Sequence, residues 1–267
     1  MVLTPVLIPV LVVGYALLFA KKRIDYRGLR RRQESILAKH AGSLRLRGLN
    51  TEDLPSFQDR LLKVHGLLSD DAFLRLRSVI ADTTKGERIH IPGHKRGVTI
   101  SYEALHGVAP DVVAFYHSSE LHAFCSQIVG EPVYVTPLHD QSSCSVLCYT
   151  SPGDHIGWHR DLNFYKGRHF TALLFVINES SVGRLSSAEL TVRTPSSSRE
   201  CPVVTPPNTF VFFEGARVWH KVTPLGEREK RVVLSMTFST NPTANPLQSA
   251  VRRFKDVAYY GVRALWT

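Results

Sequence analysis

Seven short β-favouring runs between residues 144 and 239 constrain this chain more than any other feature. They span 144–149, 156–159, 170–177, 189–193, 209–213, 218–222 and 231–239. Turn-forming clusters separate them: Ser151-Pro152-Gly153-Asp154, residues 195–198, Pro206-Pro207-Asn208 and Gly226-Glu227. Many short strands at such spacing close into a sandwich, barrel or jelly roll. A supporting helical layer is predicted upstream. Ser69 is placed to cap a helix through Ile80, with Asp70 and Asp71 in its first turn and Phe73, Leu76 and Ile80 on one face. A second helix is predicted from Ser118 or Ser119 to a stop at Gly130, burying Leu121, Phe124, Cys125 and Ile128. From about Leu247 a last helix presents Val251, Phe254 and Ala258 on one face and Arg252, Arg253 and Lys255 on the other. Its apolar face is expected to pack on the sheet, with a membrane surface as the alternative. Residues 57–68 read as apolar and extended. Residues 83–98, rich in Gly, Lys, Arg and His, read as a surface loop, or alternatively a lid.

With 43% hydrophobic residues in 267, the chain can bury a core and is not intrinsically disordered. Four cysteines exclude a disulfide-dense scaffold. The formal charge of +10 is concentrated: residues 21–32 hold seven basic side chains against Asp25, a local +6. The other 255 residues share +4, which gives no basis for a nucleic-acid partner. The basic cluster follows an uncharged stretch, Val2 to Ala20, long enough at about 1.5 Å per residue to approach the ~30 Å bilayer core. That pairing predicts a single-pass transmembrane anchor over 1–20, a basic juxtamembrane stalk over 21–55 and a domain over 56–267. A cleaved signal peptide is the competing reading, but it ordinarily has a basic start and a shorter apolar core. The positive-inside tendency would place the domain in the cytoplasm, with the lumenal orientation left open.

Within the strands, Gly157-Trp158-His159-Arg160-Asp161 places an imidazole and a carboxylate two residues apart, on one face if the strand continues. His220 supplies a second imidazole in a distant run. Two histidines and one carboxylate form the facial set that holds non-haem Fe(II) and leaves positions open for other ligands.

The surroundings of these residues resemble the Fe(II)/2-oxoglutarate-dependent dioxygenases, in particular the prolyl 4-hydroxylase-like branch. The resemblance covers residues 144–240 and rests on an ordered set of segments. Leu147 to Asp154 leads into His159 and Asp161, and Gly167 to Leu174 runs on to Asn178. Ala188-Glu189-Leu190 follows, then Pro206 to Phe213, then His220 to Leu225. It implies a double-stranded β-helix core with flanking helices (mainly β, α+β) and Fe(II) held by His159, Asp161 and His220. It also implies 2-oxoglutarate as co-substrate, O₂ as oxidant, and ascorbate as a candidate accessory reductant. The implied activity is hydroxylation of an unactivated C–H with release of succinate and CO₂. A peptidyl proline is the implied substrate, and other peptides, proteins or small molecules remain open.

The family places a basic residue on the last core strand for the distal carboxylate of 2-oxoglutarate, and Lys230 and Arg231 both stand there. Lys230 shares parity with the apolar Val232, Leu234, Met236 and Phe238, whereas Arg231 shares it with Val233, Ser235 and Thr237, suited to a polar interior. A guanidinium also presents parallel N–H groups to a carboxylate. Arg231 is therefore expected, with Tyr149 as a further co-substrate contact or alternatively a core aromatic. Trp158 and Trp219 are expected to pack away from the metal. A non-catalytic jelly-roll binding module and a membrane-adjacent adaptor are the competing functional classes.

Overall fold

The strands of this chain form one curled antiparallel sheet, seen in a computed structural model that describes residues 23–48, 54–81 and 85–260. Four strands precede the core: β1 (Leu61–His65), β2 (Glu87–Ile91), β3 (Lys95–Ile100) and β4 (Tyr134–Val135). The core strands are β5 (Cys144–Tyr149), β6 (His155–His159), β7 (His169–Ser180), β8 (Leu190–Thr194), β9 (Ser197–Val203), β10 (Thr209–Glu214), β11 (Trp219–Val222) and β12 (Glu229–Ser239). Their order is β1-β10-β7-β12-β5-β3-β6-β11-β8-β9, with β2 on β3 and β4 on β12. The sheet folds over at β3, which pairs with β5 through Val98–Ile100 and with β6 through Lys95–Arg96. One layer is thus β1, β10, β7, β12 and β5, and the facing layer is β6, β11, β8 and β9.

Strand parity sorts residues between two cores. Outward residues of β7, β10 and β12 (Ala172, Leu174, Phe210, Phe212, Leu234, Met236) meet the helices in the larger core. These helices are α1 (described over 23–40), α2 (Asp70–Val79), α3 (Tyr102–Val108), α4 (Pro110–Tyr116) and α5 (Ser119–Val129). Inward residues (Leu173, Phe175, Val211, Phe213, Val233) meet Ile156, Leu190 and Val222 of the facing layer in a second core. Ser118 caps α5 by accepting from the Leu121 amide, and Gly130 ends it at φ 78°, as its sequence predicted. Ser69 precedes α2 but makes no capping bond.

Several expectations are corrected. The fold-class reading of a jelly roll preceded by a transmembrane helix becomes a curled, jelly-roll-like antiparallel sheet with flanking helices. No helix among the described residues is long and apolar enough to cross a membrane, and the anchor expected over 1–20 lies outside the described residues. The single-pass membrane location and the membrane partner inferred from it are withdrawn with it. Part of the expected stalk packs on the domain: Ile36 and Leu44 belong to the larger core, and Leu46 bridges Leu68. The segment expected as a loop over 83–98 forms the β2–β3 hairpin over its described part.

The last helix, α6 (Pro246–Tyr260), is turned the other way round from its pattern. Phe254 is 76% exposed and Val251 46%, whereas Arg252 is buried. Ion pairs account for this inversion: Lys255 binds Asp140 (3.3 Å) and Asp256 (3.0 Å), and Arg252 binds Asp256 (2.9 Å) and the carbonyl of His139 (2.8 Å). Buried charges require partners, and Asp140 supplies one that local periodicity does not reveal.

Candidate active site

His159 ends β6 and His220 lies on β11, directly paired across the facing layer. Their rings are 4.0 Å apart, centroid to centroid. Asp161 lies beyond the end of β6, so the convergence is not the simple i, i+2 strand relation that the sequence suggested. The chain leaves the strand and is held by the Asp161 amide donating to the Gly215 carbonyl (3.0 Å). One Asp161 oxygen then lies 3.8 Å from Nε2 of His159 and 3.8 Å from Nε2 of His220. One ligand atom from each of the three residues lies within 4.8 Å of the others. Among the described residues this is the only such His, Cys, Asp or Glu group.

Hydrogen bonds set the tautomers. Nδ1 of His159 lies 2.8 Å from the Gly157 carbonyl, and Nδ1 of His220 lies 3.2 Å from the Val218 carbonyl. A carbonyl only accepts, so each Nδ1 carries the proton and each Nε2 turns a lone pair to the shared centre. The second Asp161 oxygen accepts from the Thr171 hydroxyl at 2.5 Å, which fixes the carboxylate plane. Gly215 is required by close approach: a Cβ there would stand 2.6 Å from an Asp161 oxygen and 2.8 Å from the Thr171 hydroxyl. Neither Thr171 nor Gly215 carried a sequence signal, because both act across strand pairings far apart in the chain. Burial lowers His159 to about 4, with His220 adding to the effect. Burial would raise Asp161, but His220 and His159 outweigh it and hold the carboxylate at about 2. The group is two imidazoles, each with Nδ1 turned to a carbonyl, and one carboxylate, the donor set that a divalent iron takes.

These residues open on a cavity of about 370 Å³ between the two layers. Its lining includes the apolar Leu173, Leu190 and Val222 together with Tyr149. Arg231 lies next to Tyr149, paired with it across β5 and β12 and fully buried, its guanidinium 4.8 Å over the Phe175 ring. Its Nη1 donates to the Ala188 carbonyl (2.6 Å), while Nε and Nη2 are buried without a hydrogen-bond partner among the described residues. Burial pulls this guanidinium down to about 10, so it remains charged at neutral pH. Burial pushes the Tyr149 hydroxyl up. Lys230 points away and donates to the Ala81 carbonyl (3.2 Å). Trp158 and Trp219 lie outside the metal group, stacked against Arg193 (4.3 Å), Lys221 (4.6 Å) and Arg160 (4.8 Å) rather than in a core.

Solved structures share this architecture. An oxidoreductase of the 2OG-Fe(II) oxygenase family from Burkholderia pseudomallei superposes with a TM-score of 0.58 at 12% identity, over 76% of this chain and 97% of that one. The chain carries the fold of the 2OG-Fe(II) oxygenases. The resemblance read from its sequence holds at this level. A prolyl hydroxylase from Trichoplax adhaerens, solved with a peptide fragment of hypoxia inducible factor, aligns at 0.52 and 14% identity over 73% and 87% of the two chains. The epimerase SnoN from nogalamycin biosynthesis aligns at 0.54 and 14% identity over 68% and 77%. No protein-family model matches the chain, and no curated relative matches it.

Proposed function

We propose that this protein is an Fe(II)/2-oxoglutarate-dependent dioxygenase that hydroxylates an unactivated C–H bond and releases succinate and CO₂. His159, Asp161 and His220 are its metal ligands, Arg231 holds the distal carboxylate of 2-oxoglutarate, and Tyr149, its cross-strand neighbour, lines the cavity. The observation that carries this reading is the facing of two Nε2 lone pairs and one carboxylate oxygen on a common centre at a cavity wall. The second support is Arg231, whose buried Nε and Nη2 find no partner among the described residues. Two orphaned donors on a buried cation are costly, and a bound carboxylate satisfies both charge and geometry.

When bound, Fe(II) with 2-oxoglutarate and O₂ supplies the oxidising power, which protein side chains cannot provide. The chain's own part is placement. The Gly157 and Val218 carbonyls hold the two imidazoles in their binding tautomer, and Thr171 holds Asp161. Leu173, Leu190 and Val222 keep the co-substrate side dry, so the Arg231 charge acts through a medium with little water. A peptidyl proline is one substrate of this class, and the Trichoplax neighbour was solved with a peptide. Succinate release dependent on Fe(II) and 2-oxoglutarate, and absent in His220→Ala, tests the reading. Iron-independent succinate release, or none at all from the iron-loaded protein, would refute it and leave the binding-module class standing.

A further inference from the structure

The turn between β10 and β11 supports two of the three metal ligands. Its Gly215 carbonyl accepts from the Asp161 amide (3.0 Å), and its Val218 carbonyl faces Nδ1 of His220 (3.2 Å). The turn is closed on itself, with the Glu214 carbonyl accepting from the Arg217 (2.9 Å) and Val218 (3.1 Å) amides. The start of β7 grips it through the Gly215 amide, which donates to the His169 carbonyl (3.1 Å). At Gly215 the chain passes so close that an added Cβ would stand 2.9 Å from the Asp161 Cβ and 2.6 Å from its oxygen. A shift of this turn is therefore passed on to Asp161 and to the start of β11, where His220 lies.

Glu214, the last residue of β10, carries a buried carboxylate that the roles above do not use. It is 5% exposed and faces guanidinium groups from three places: Arg60 ahead of β1, Arg168 ahead of β7 and Arg217 in the turn. Arg60 Nη1 and Arg168 Nη2 (3.1 Å) both donate to Oε2, and Arg217 Nε lies 4.0 Å from Oε1. A buried carboxylate is costly unless cations match it, and here they come from segments far apart in the chain. Arg60 also holds an unusual backbone, with φ 60°, the left-handed region that a residue with a Cβ seldom adopts. It continues the ladder in which Leu61 pairs with Phe213, and it engages Glu214 twice. Its carbonyl accepts from the Glu214 amide (3.0 Å), and its guanidinium takes the carboxylate. Strained residues persist where their surroundings over-determine them, and they gather at functional sites.

We propose that Glu214 is a positioning residue for the metal group: clamped by Arg60 and Arg168, its carboxylate fixes the β10–β11 turn, and the turn sets where Asp161 and His220 stand. The inference rests on the dioxygenase reading for the identity of the ion, while the clamp consists of this chain's own residues. Gly215 leaves room for Asp161, and Glu214 holds Gly215 in place. A clamp that served the fold alone would be one more buried ion pair, as Asp111 is with Arg75 (3.1 Å) and His40 (2.8 Å). Asp111 lies on α4 in the helical layer and is likewise 5% exposed, which makes it the matched control.

The test titrates the full-length protein with Co(II), following both heat and the visible d–d absorption, which reports the ligand geometry around the ion. Glu214→Gln keeps the shape and removes the charge; it should weaken Co(II) binding about tenfold, the scale expected for an outer support of a metal ligand, and alter the d–d bands. Asp111→Asn should lower the melting temperature while leaving affinity and spectrum as in the unmodified protein. Arg60→Gly covers the case in which Glu214→Gln does not fold, because glycine takes φ 60° without strain and a half-exposed ion pair contributes little to stability. It should melt near the unmodified protein, bind Co(II) severalfold more weakly and show the same spectral change in smaller measure. Arg60→Lys should restore most of the affinity. Unchanged affinity and spectrum in Glu214→Gln, or in Arg60→Gly where the first variant does not fold, would overturn the proposal. So would an equal loss in Asp111→Asn, which would make the effect one of general stability. Failure of the unmodified protein to take up Co(II) would overturn the metal reading and the proposal with it, an outcome distinct from equal affinity across the variants.

Discussion

Along β12, Val232, Leu234, Met236 and Phe238 point away from the barrel into the core shared with the helices, while Arg231, Val233, Ser235 and Thr237 point inward. β7 repeats the division, with Phe170, Ala172 and Leu174 outward and Thr171, Leu173 and Phe175 inward. The outward face is uniformly apolar and is covered by α-helices. The inward face mixes apolar residues with a guanidinium, hydroxyls and the support of a carboxylate. Because side chains alternate along a strand, one strand can bind the fold together on one side and carry polar groups on the other. The two faces should therefore fail differently when mutated: outward substitutions in stability, inward ones in metal and co-substrate binding.

The largest expected effect is on the inward side. His159→Ala or His220→Ala should reduce 2-oxoglutarate turnover to background while far-UV circular dichroism and melting temperature stay near those of the unmodified protein. On the outward side, Leu234→Ala should cost about 2–5 kcal/mol in denaturant unfolding, with no change in the 2-oxoglutarate requirement. If it altered that requirement as strongly as an inward variant, the division of roles would fail. Arg231→Ala should raise the half-saturating concentration of 2-oxoglutarate about thirtyfold or more, in line with the ~2 kcal/mol or more lost when one member of a buried charge pair is removed. Lys230→Ala, one residue away on the other face, should change it less than twofold. The reverse order would transfer the role to Lys230.

Two smaller effects sharpen the contrast. Thr171→Val removes the hydrogen bond that orients Asp161 and should weaken metal binding about tenfold, as loss of a ligand's supporting partner commonly does. In the helical layer, burial lowers His117 to about 4 from its ordinary 6.5, and its Nε2 sits 2.6 Å from the Tyr102 hydroxyl. Below pH 6.5 the unfolded chain takes up this proton while the folded one refuses it. Stability is thus full above pH 6.5 and falls on acidification towards pH 4, by about 1 kcal/mol per pH unit. His117→Gln should flatten that limb in unfolding curves measured between pH 6.5 and 4.5, and an unchanged slope would remove His117 as its source.

The legible parts of this molecule were those with local periodicity. The limits of β5 matched residue for residue, α5 ended at its glycine, and the inner and outer residues of β12 separated by parity alone. What could not be read had its partners elsewhere in the chain. The β2–β3 hairpin looked like a loop because Lys95, Gly97 and Thr99 give it no apolar alternation. β9 is an exposed polar edge strand, so its run from Ser197 resembled a turn. α4 is buried on nearly all sides, from Asp111 to Tyr116, and so lacks an amphipathic stripe. In α6 the periodicity pointed the wrong way, since Asp140 draws Lys255 inward and leaves Phe254 exposed. The grouping of His159, Asp161 and His220 was legible in the sequence order, whereas Thr171 and Gly215 emerged only once β7 and the β10–β11 turn stood beside Asp161.

In the proposed function, three side chains from separate parts of the chain, backed by one buried guanidinium, form a single site for Fe(II) and 2-oxoglutarate. Anaerobic calorimetry of 2-oxoglutarate binding, with and without Fe(II), tests it most directly. One equivalent should bind only when Fe(II) is present, with binding abolished in His220→Ala and weakened about thirtyfold or more in Arg231→Ala. Binding that is independent of iron, or that survives His220→Ala unchanged, would contradict it.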